Sequence, residues 1–223
     1  MPSHSSRTLP LTPAHLLKLL FAFAFCCALA IPARAASGEA AMAVVKDTVE
    51  SLRTALIKDA DRARDDQVVV ARLVEQYVVP NVDVPLSSQL ILGRHWRSAD
   101  EAQRAAFVEG YRQLLLRTYS THAMDYMDAK VDYLSVTPLG ADDARFTVRT
   151  RVERIGKRPA QVDYRVGVQD GQWKVFDAVV NGVSLVSTLR TAVDAEVGRI
   201  GLPALITQLN TGKLLPAPQV AAQ

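Results

Sequence analysis

The sequence predicts an α+β fold, a four-stranded antiparallel meander with one face covered by helices from both ends of the chain. Two observations predict it. The apolar spacing switches from a period near 3.6 to a period of 2 after about residue 127, then returns to the helical period after Ser184. Within the period-2 block the strands follow one another through tight-turn signals, with no intervening helix, which excludes βαβ units and a parallel sheet.

The elements follow in order. Residues 40 to 61 carry Val44, Val45, Thr48, Leu52 and Leu56 at helical spacing. A second helix, Gln67 to Val79, is expected to end at Pro80, which cannot continue it. A short segment with Leu90, Ile91 and Leu92 closes at Gly93. The pattern Ser98-x-x-Glu101 predicts a capping box, opening a long helix that runs to about Met127. Lys130 to Val136 reads as the first strand. Next, "ARFTVRTRVER" alternates Phe146, Val148, Thr150 and Val152 against Arg145, Thr147, Arg149 and Arg151. "QVDYRVGV" repeats the alternation with Val162, Tyr164, Val166 and Val168, and Asp170-Gly171 predicts a hairpin into the strand with Trp173, Val175, Phe176 and Val179. After an Asn181-Gly182 turn, Ser184 is placed to cap a helix from about Leu185 to Val197, and "LPALITQLN" gives a last short one.

The N-terminus belongs to a different class of segment. Leu16 to Ile31 is apolar except for Lys18, and ends in "PARAAS", where Ala33 and Ala35 form an A-x-A signature. This order predicts a secretory signal peptide over residues 1–35, a single domain over 36–214 and a disordered tail over 215–223. Three of the 26 basic residues (Arg7, Lys18 and Arg34) lie in the leader and none of the 23 acidic ones does, so the net charge of +3 vanishes with it. A nucleic-acid partner is therefore not expected. Cys26 and Cys27 leave as well, which excludes a disulfide, a thiol nucleophile and a cysteine-held metal in the exported chain.

Motifs for catalysis are missing. The sequence has no G-x-G-x-x-G, P-loop or H-E-x-x-H, and "NGVSLV" departs from the nucleophile elbow at Val186. Ser120, His122 and Asp125 resemble a triad only in their order, because residues two apart on a helix point to different faces. Asp177 is the single carboxylate deep in an apolar run. It reads either as a buried general base or, preferably, as a carboxylate facing outward or bonding nearby backbone. Neither a catalytic residue nor a metal or other cofactor is expected.

One constellation remains. Tyr111, Leu115, Tyr119, His122 and Tyr126 fall within about 80° of the long helix's circumference. Tyrosines present an apolar body with a polar tip, which suits either ordinary core or the wall of an apolar binding cavity.

Two separated segments then carry a resemblance. The first has Leu92, Gly93, Trp96, Gln103, Arg104, Phe107, Thr118 and Tyr119; the second has Asp170, Trp173, Asp177, Gly182, Val183 and Ser184. Together, across about residue 40 to Leu214, the chain resembles the MlaC family of periplasmic phospholipid-binding proteins, also called toluene-tolerance auxiliary components. The resemblance implies a twisted sheet and helices enclosing an apolar cavity for acyl chains, in a monomeric periplasmic carrier with bound phospholipid as its cargo. It implies two partners, the MCE-domain protein of an inner-membrane ABC transporter and an outer-membrane lipoprotein–porin complex. Under that reading the lining would come from Tyr111, Leu114, Leu115, Tyr119 and Tyr126 on the helix. Phe146, Val148, Val162, Tyr164, Val166, Phe176 and Val179 would contribute from the strands, and Val183, Leu185 and Leu189 from the last turn and helix. Arg112 and Arg149 are candidates for a headgroup phosphate, though each also reads as a solvated surface charge. A hopanoid-like cargo, or an interaction factor with an ordinary packed core, stays open at this stage.

Overall fold

The computed structural model describes residues 33–141 and 144–212, with side chains from residue 37. The expected leader, up to Pro32, and the expected tail lie outside the described residues. From Ser37 the chain forms one compact unit.

Helices α1 (Ala33–Lys58), α2 (Ala60–Asp65) and α3 (Gln67–Tyr77) open the fold. The α3 N-terminus is held by the Asp66 carboxylate, which accepts from the Val68 amide at 2.8 Å. The helix ends at Tyr77, before Pro80, which is accommodated in a 3-10 turn at Val79–Asn81. Helix α4 (Val84–Leu92) starts at Asp83, whose carboxylate accepts from the Leu86 amide at 2.9 Å, and it stops at Gly93 with φ +56°. A one-turn helix α5 (His95–Ser98) leads to the long α6 (Glu101–His122), extended by a 3-10 turn at Ala123–Tyr126.

The capping box of α6 differs from the expected one. Asp100 accepts from the Gln103 amide at 2.8 Å, and the Gln103 side chain accepts from the Asp100 amide at 3.2 Å. Ser98 is the last residue of α5 and its hydroxyl donates to the His95 carbonyl. Two cap patterns overlap in the sequence, Ser98–Glu101 and Asp100–Gln103. Ser98 is still helical as the end of α5, and the chain is extended only at Ala99 and Asp100, so Asp100 is the residue that stands directly before α6 with backbone suited to a cap.

The sheet has five strands rather than four, in chain order: β1 (Lys130–Pro138), β2 (Arg145–Glu153), β3 (Ala160–Gln169), β4 (Gln172–Val180) and β5 (Val183–Ser184). The added strand follows from the turn before it. Asn181 and Gly182 both take positive φ, +49° and +86°, which closes a two-residue hairpin pairing Val180 with Val183. Asp170 and Gly171, at +50° and +74°, do the same between β3 and β4.

Phe146, Val148, Thr150 and Val152 are all buried and pair with Val166, Tyr164, Val162 and Ala160 on the inner face. The intervening Arg145, Arg149 and Arg151 stand exposed on the outer face. A bulge at Arg165/Val166 then breaks the alternation on β4. It places Phe176 beneath the Arg145 guanidinium, 5.7 Å from the ring centre, and aligns Val179 with Asp163 on the arginine side.

Helix α7 (Leu185–Ile200) begins at Ser184, as its hydroxyl accepts from the Ser187 amide at 3.0 Å, and α8 (Leu202–Asn210) follows. Among the described residues the buried apolar side chains form three clusters. The largest joins α4, α6, α7 and α8 through Ile91, Phe107, Leu114, Val193, Leu205 and Leu209. A second joins the end of α1 to α2, α3 and the C-terminal part of α6 through Leu56, Val70, Val74 and Leu116. The third is the inner sheet face under α1, where Ala41 and Val45 meet Phe146, Val148 and Val166.

Candidate functional site

The polar groups resolve first, because most of them are structural. Asp177 is buried, and its carboxylate accepts from Arg165 Nη1 at 2.9 Å, the Ser184 hydroxyl at 2.7 Å and the Val186 amide at 3.0 Å. It is an anchor for the start of α7, as the preferred sequence reading expected, with both of its oxygens engaged by the protein. Ser120 donates to the Leu116 carbonyl within its own helix, and His122 Nδ1 faces Asp125 at 3.8 Å, so the three residues do not assemble. His95 Nε2 lies 2.8 Å from Asp194 Oδ1, joining α5 to α7. Among the described residues no group of three or more His, Cys, Asp or Glu is arranged to hold a metal.

The two arginines considered for a headgroup already have carboxylate partners. Arg112 Nη1 contacts Glu75 at 2.6 Å, while Nε and Nη2 each meet Glu109 at 2.9 Å. Hydrogen bonds from Arg112 and then Gln113 hold the Glu109 carboxyl down at about 2. Arg149 lies 3.4 Å from Asp163 on the outer face.

The tyrosines converge instead. Tyr111 is buried close to Ser87, whose hydroxyl donates to the Phe176 carbonyl at 2.8 Å. Burial drives the Tyr111 and Tyr164 hydroxyls well above the usual phenol range, and both also feel Tyr119. Tyr119, pushed up to about 12 by burial and then by Tyr126, nevertheless leaves 39% of its surface uncovered. Tyr119 is thus an aromatic side chain crowded by other tyrosines yet with part of its surface left open. Tyr133, on β1, is raised to about 12 by burial and by Glu50 and Asp47, and its buried hydroxyl has no hydrogen-bond partner in the protein. Helix α6 has helices as its main backbone neighbours.

The other sequence candidates take distinct places. Leu114 and Leu189 are packed in the helical cluster; Phe146, Val148 and Val166 are packed beneath α1. Leu115 and Val162 are half-buried, like Leu185 at the start of α7. Val183 is exposed at the β4–β5 turn, while Phe176 and Val179 fall on the arginine side of the bulge. Sequence reasoning missed Tyr133 and Arg154. Tyr133 carried a legible signal, an aromatic residue in a strand beside alternating apolar neighbours. Arg154 stacks on Tyr126 at 5.1 Å, a contact between segments nearly thirty residues apart that no local pattern encodes.

A separate open cleft of about 560 Å³ lies between α1 and α3. Asp47, Glu50, Lys58 and Asp59 contribute to its wall, a charged lining unsuited to alkyl chains.

Fold and site together define a class: an α+β binding-protein scaffold, with phenol hydroxyls gathered over one sheet face and its buried carboxylate spent on structure. The MlaC protein family matches residues 46–211, and the chain belongs to that family. It is 23% identical over 177 residues to the intermembrane phospholipid transport system binding protein MlaC of Haemophilus influenzae, a match covering 78% of this chain and 82% of that protein. It is also similar to the phospholipid-binding protein of Ralstonia solanacearum, solved in complex with a phospholipid. That similarity has a TM-score of 0.69 at 28% identity, over 81% of this chain and 98% of the other.

Proposed function

We propose that this protein is an exported, periplasmic phospholipid carrier that shields acyl chains in the space between α6 and the inner sheet face. The observation that carries the reading is the grouping, in a chain of the MlaC family, of the partly uncovered Tyr119 and Tyr126 with Tyr164 and the partnerless buried hydroxyl of Tyr133. Leu115, Tyr119, Tyr126, Val162 and Tyr164 line that space in this reading, and the packed residues behind them form its walls. The partnerless Tyr133 hydroxyl would donate to an ester carbonyl of the cargo.

The physical need is large. Two acyl chains expose roughly 30 methylenes at ~0.8 kcal/mol each, a penalty on the order of 20 kcal/mol in water. A protein that crosses an aqueous compartment with such a load requires an apolar interior, a polar exterior and no nucleotide site of its own. The inner-membrane transporter with its MCE-domain protein and the outer-membrane lipoprotein–porin complex are the donors and acceptors this reading assigns.

Native mass spectrometry of protein purified without detergent, followed by organic extraction, tests it. Phospholipid at near one molecule per chain is expected. A polycyclic lipid would redirect the assignment to a hopanoid-like cargo, and a protein free of lipid would overturn the carrier reading.

A further inference from the structure

The end of the sheet that carries the β2–β3 hairpin differs in character from the rest of the surface. The tip, Arg154 to Pro159, holds Arg154, Lys157 and Arg158 and no acidic residue. Among the described residues neither Lys157 nor Arg158 takes part in an ion pair, whereas Arg151 nearby is paired with Glu153 and Lys130 with Asp132. Asp125 and Asp128 are the remaining carboxylates on the adjoining segment, and Asp125 faces His122. In the midst of these cations Ile155 is 86% exposed, the most exposed large apolar side chain described. Gly156, at φ +71°, turns the chain so that Ile155 stands at the apex. Val183 is exposed at the same end of the sheet, since the Asn181 amide and side chain bond Gln161 at the start of β3. The hairpin is also tied to the tyrosine cluster, because Arg154 lies over the Tyr126 ring at 5.1 Å. The turn at the opposite end, between β3 and β4, carries Asp170 instead.

An apolar apex inside a collar of unpaired cations matches the two components of an anionic bilayer surface, a negative headgroup layer above an acyl boundary. A protein partner would have to supply both an acidic ring and an apolar socket, whereas a bilayer presents them everywhere. We infer that this end of the sheet is a membrane-docking surface, with Ile155 entering the interface of an anionic bilayer and Arg154, Lys157 and Arg158 held at its phosphates. The contact would bring the mouth of the tyrosine-lined space, beside Tyr126, to the lipid surface. The inference rests on the carrier reading for its purpose but not for its chemistry.

Vesicle co-sedimentation tests it, using purified protein whose N-terminus has been fixed by intact mass. Vesicles of phosphatidylethanolamine with phosphatidylglycerol are compared with vesicles of phosphatidylcholine alone. Binding is expected only to the first and is expected to weaken with added salt as the charges are screened. Ile155→Ser should weaken it about tenfold, by the apolar transfer lost. Lys157→Glu with Arg158→Glu should weaken it at least about 25-fold, at roughly fivefold per charge near an anionic surface. The three substituted residues are exposed on the tip, so the variants keep the fold, and circular dichroism verifies it. Equal binding to neutral vesicles, no binding at all, or binding unchanged in both variants overturns the inference. Lipid extraction on the same preparation separates the two readings. Bound phospholipid without vesicle docking sinks the docking surface alone, and docking by lipid-free protein supports it while sinking the carrier.

Discussion

The Asp177 carboxylate and the Val186 amide meet at 3.0 Å across the turn that ends the sheet and begins α7. With Ser184 and Arg165 on its other oxygen, Asp177 fixes the direction in which the last two helices leave β4. Replacing it by Ala removes a helix-start acceptor and leaves Arg165 without its buried partner. Asp177→Ala is expected to cost about 2–4 kcal/mol, read as a lower urea midpoint at unchanged slope. A loss below about 0.5 kcal/mol would show that the anchor is dispensable.

Gly110 sits where α6 crosses α8. A Cβ at that position would lie 2.9 Å from Leu209 Cβ, closer than side chains tolerate. Gly110→Ala should therefore destabilise by about 1–3 kcal/mol, against the usual gain from adding a helix former. Thermal unfolding gives the sign directly.

Charged substitutions separate packed wall from open lining. Val166 is fully buried among Phe146 and Val148, so Val166→Asp is expected to lose several kcal/mol and, in a marginal background, the fold itself. Tyr126 is 39% exposed beneath Arg154, and Tyr126→Glu exchanges a ring contact for an ion pair. That variant should stay within about 0.5 kcal/mol of wild-type stability while carrying less phospholipid. Full lipid occupancy in Tyr126→Glu would remove this residue from the lining.

The tyrosine cluster sets an alkaline limit. Burial raises the Tyr119 and Tyr133 hydroxyls from 10.0 to about 12, and Tyr111 and Tyr164 rise as well. A raised folded value means that the native state keeps protons the unfolded chain releases. The stabilisation is complete below pH 10 and is lost as pH climbs toward 12. Phenolate absorbance should accordingly appear late and together with the loss of ellipticity; early, gradual phenolate formation in folded protein would contradict the burial.

Most of the element order was legible because its signals are local. Asp170-Gly171 and Asn181-Gly182 announce turns through the positive φ they permit, and Ser184 announces a helix through its hydroxyl. What the sequence concealed depends on contacts made elsewhere. Asp100 prevails over Ser98 as the cap because Ser98 is taken up in the one-turn helix before it, and the bulge that puts Phe176 and Val179 on the arginine side has no Gly or Pro on β4 itself to mark it. Of the candidate site, the helical spacing placed Tyr111, Tyr119 and Tyr126 along one stripe of the long helix and the turn that extends it, while their nearness to Tyr133 and Tyr164 depends on the sheet's register.

The strand order that copies the chain order also bears on how the molecule assembles. Each strand pairing of the meander is local, so the sheet can zip from hairpins without waiting for distant segments. The helical cluster has no such freedom: Arg94 reaches Asp194, and Arg190 reaches the Leu90 carbonyl, across 100 residues of chain. Closing so long a loop unaided carries a substantial entropic cost, and the folded meander spares much of it by holding the ends of its own segment in place. The sheet is thus a splint as well as a wall, holding together the ends of the segment across which the helices must meet.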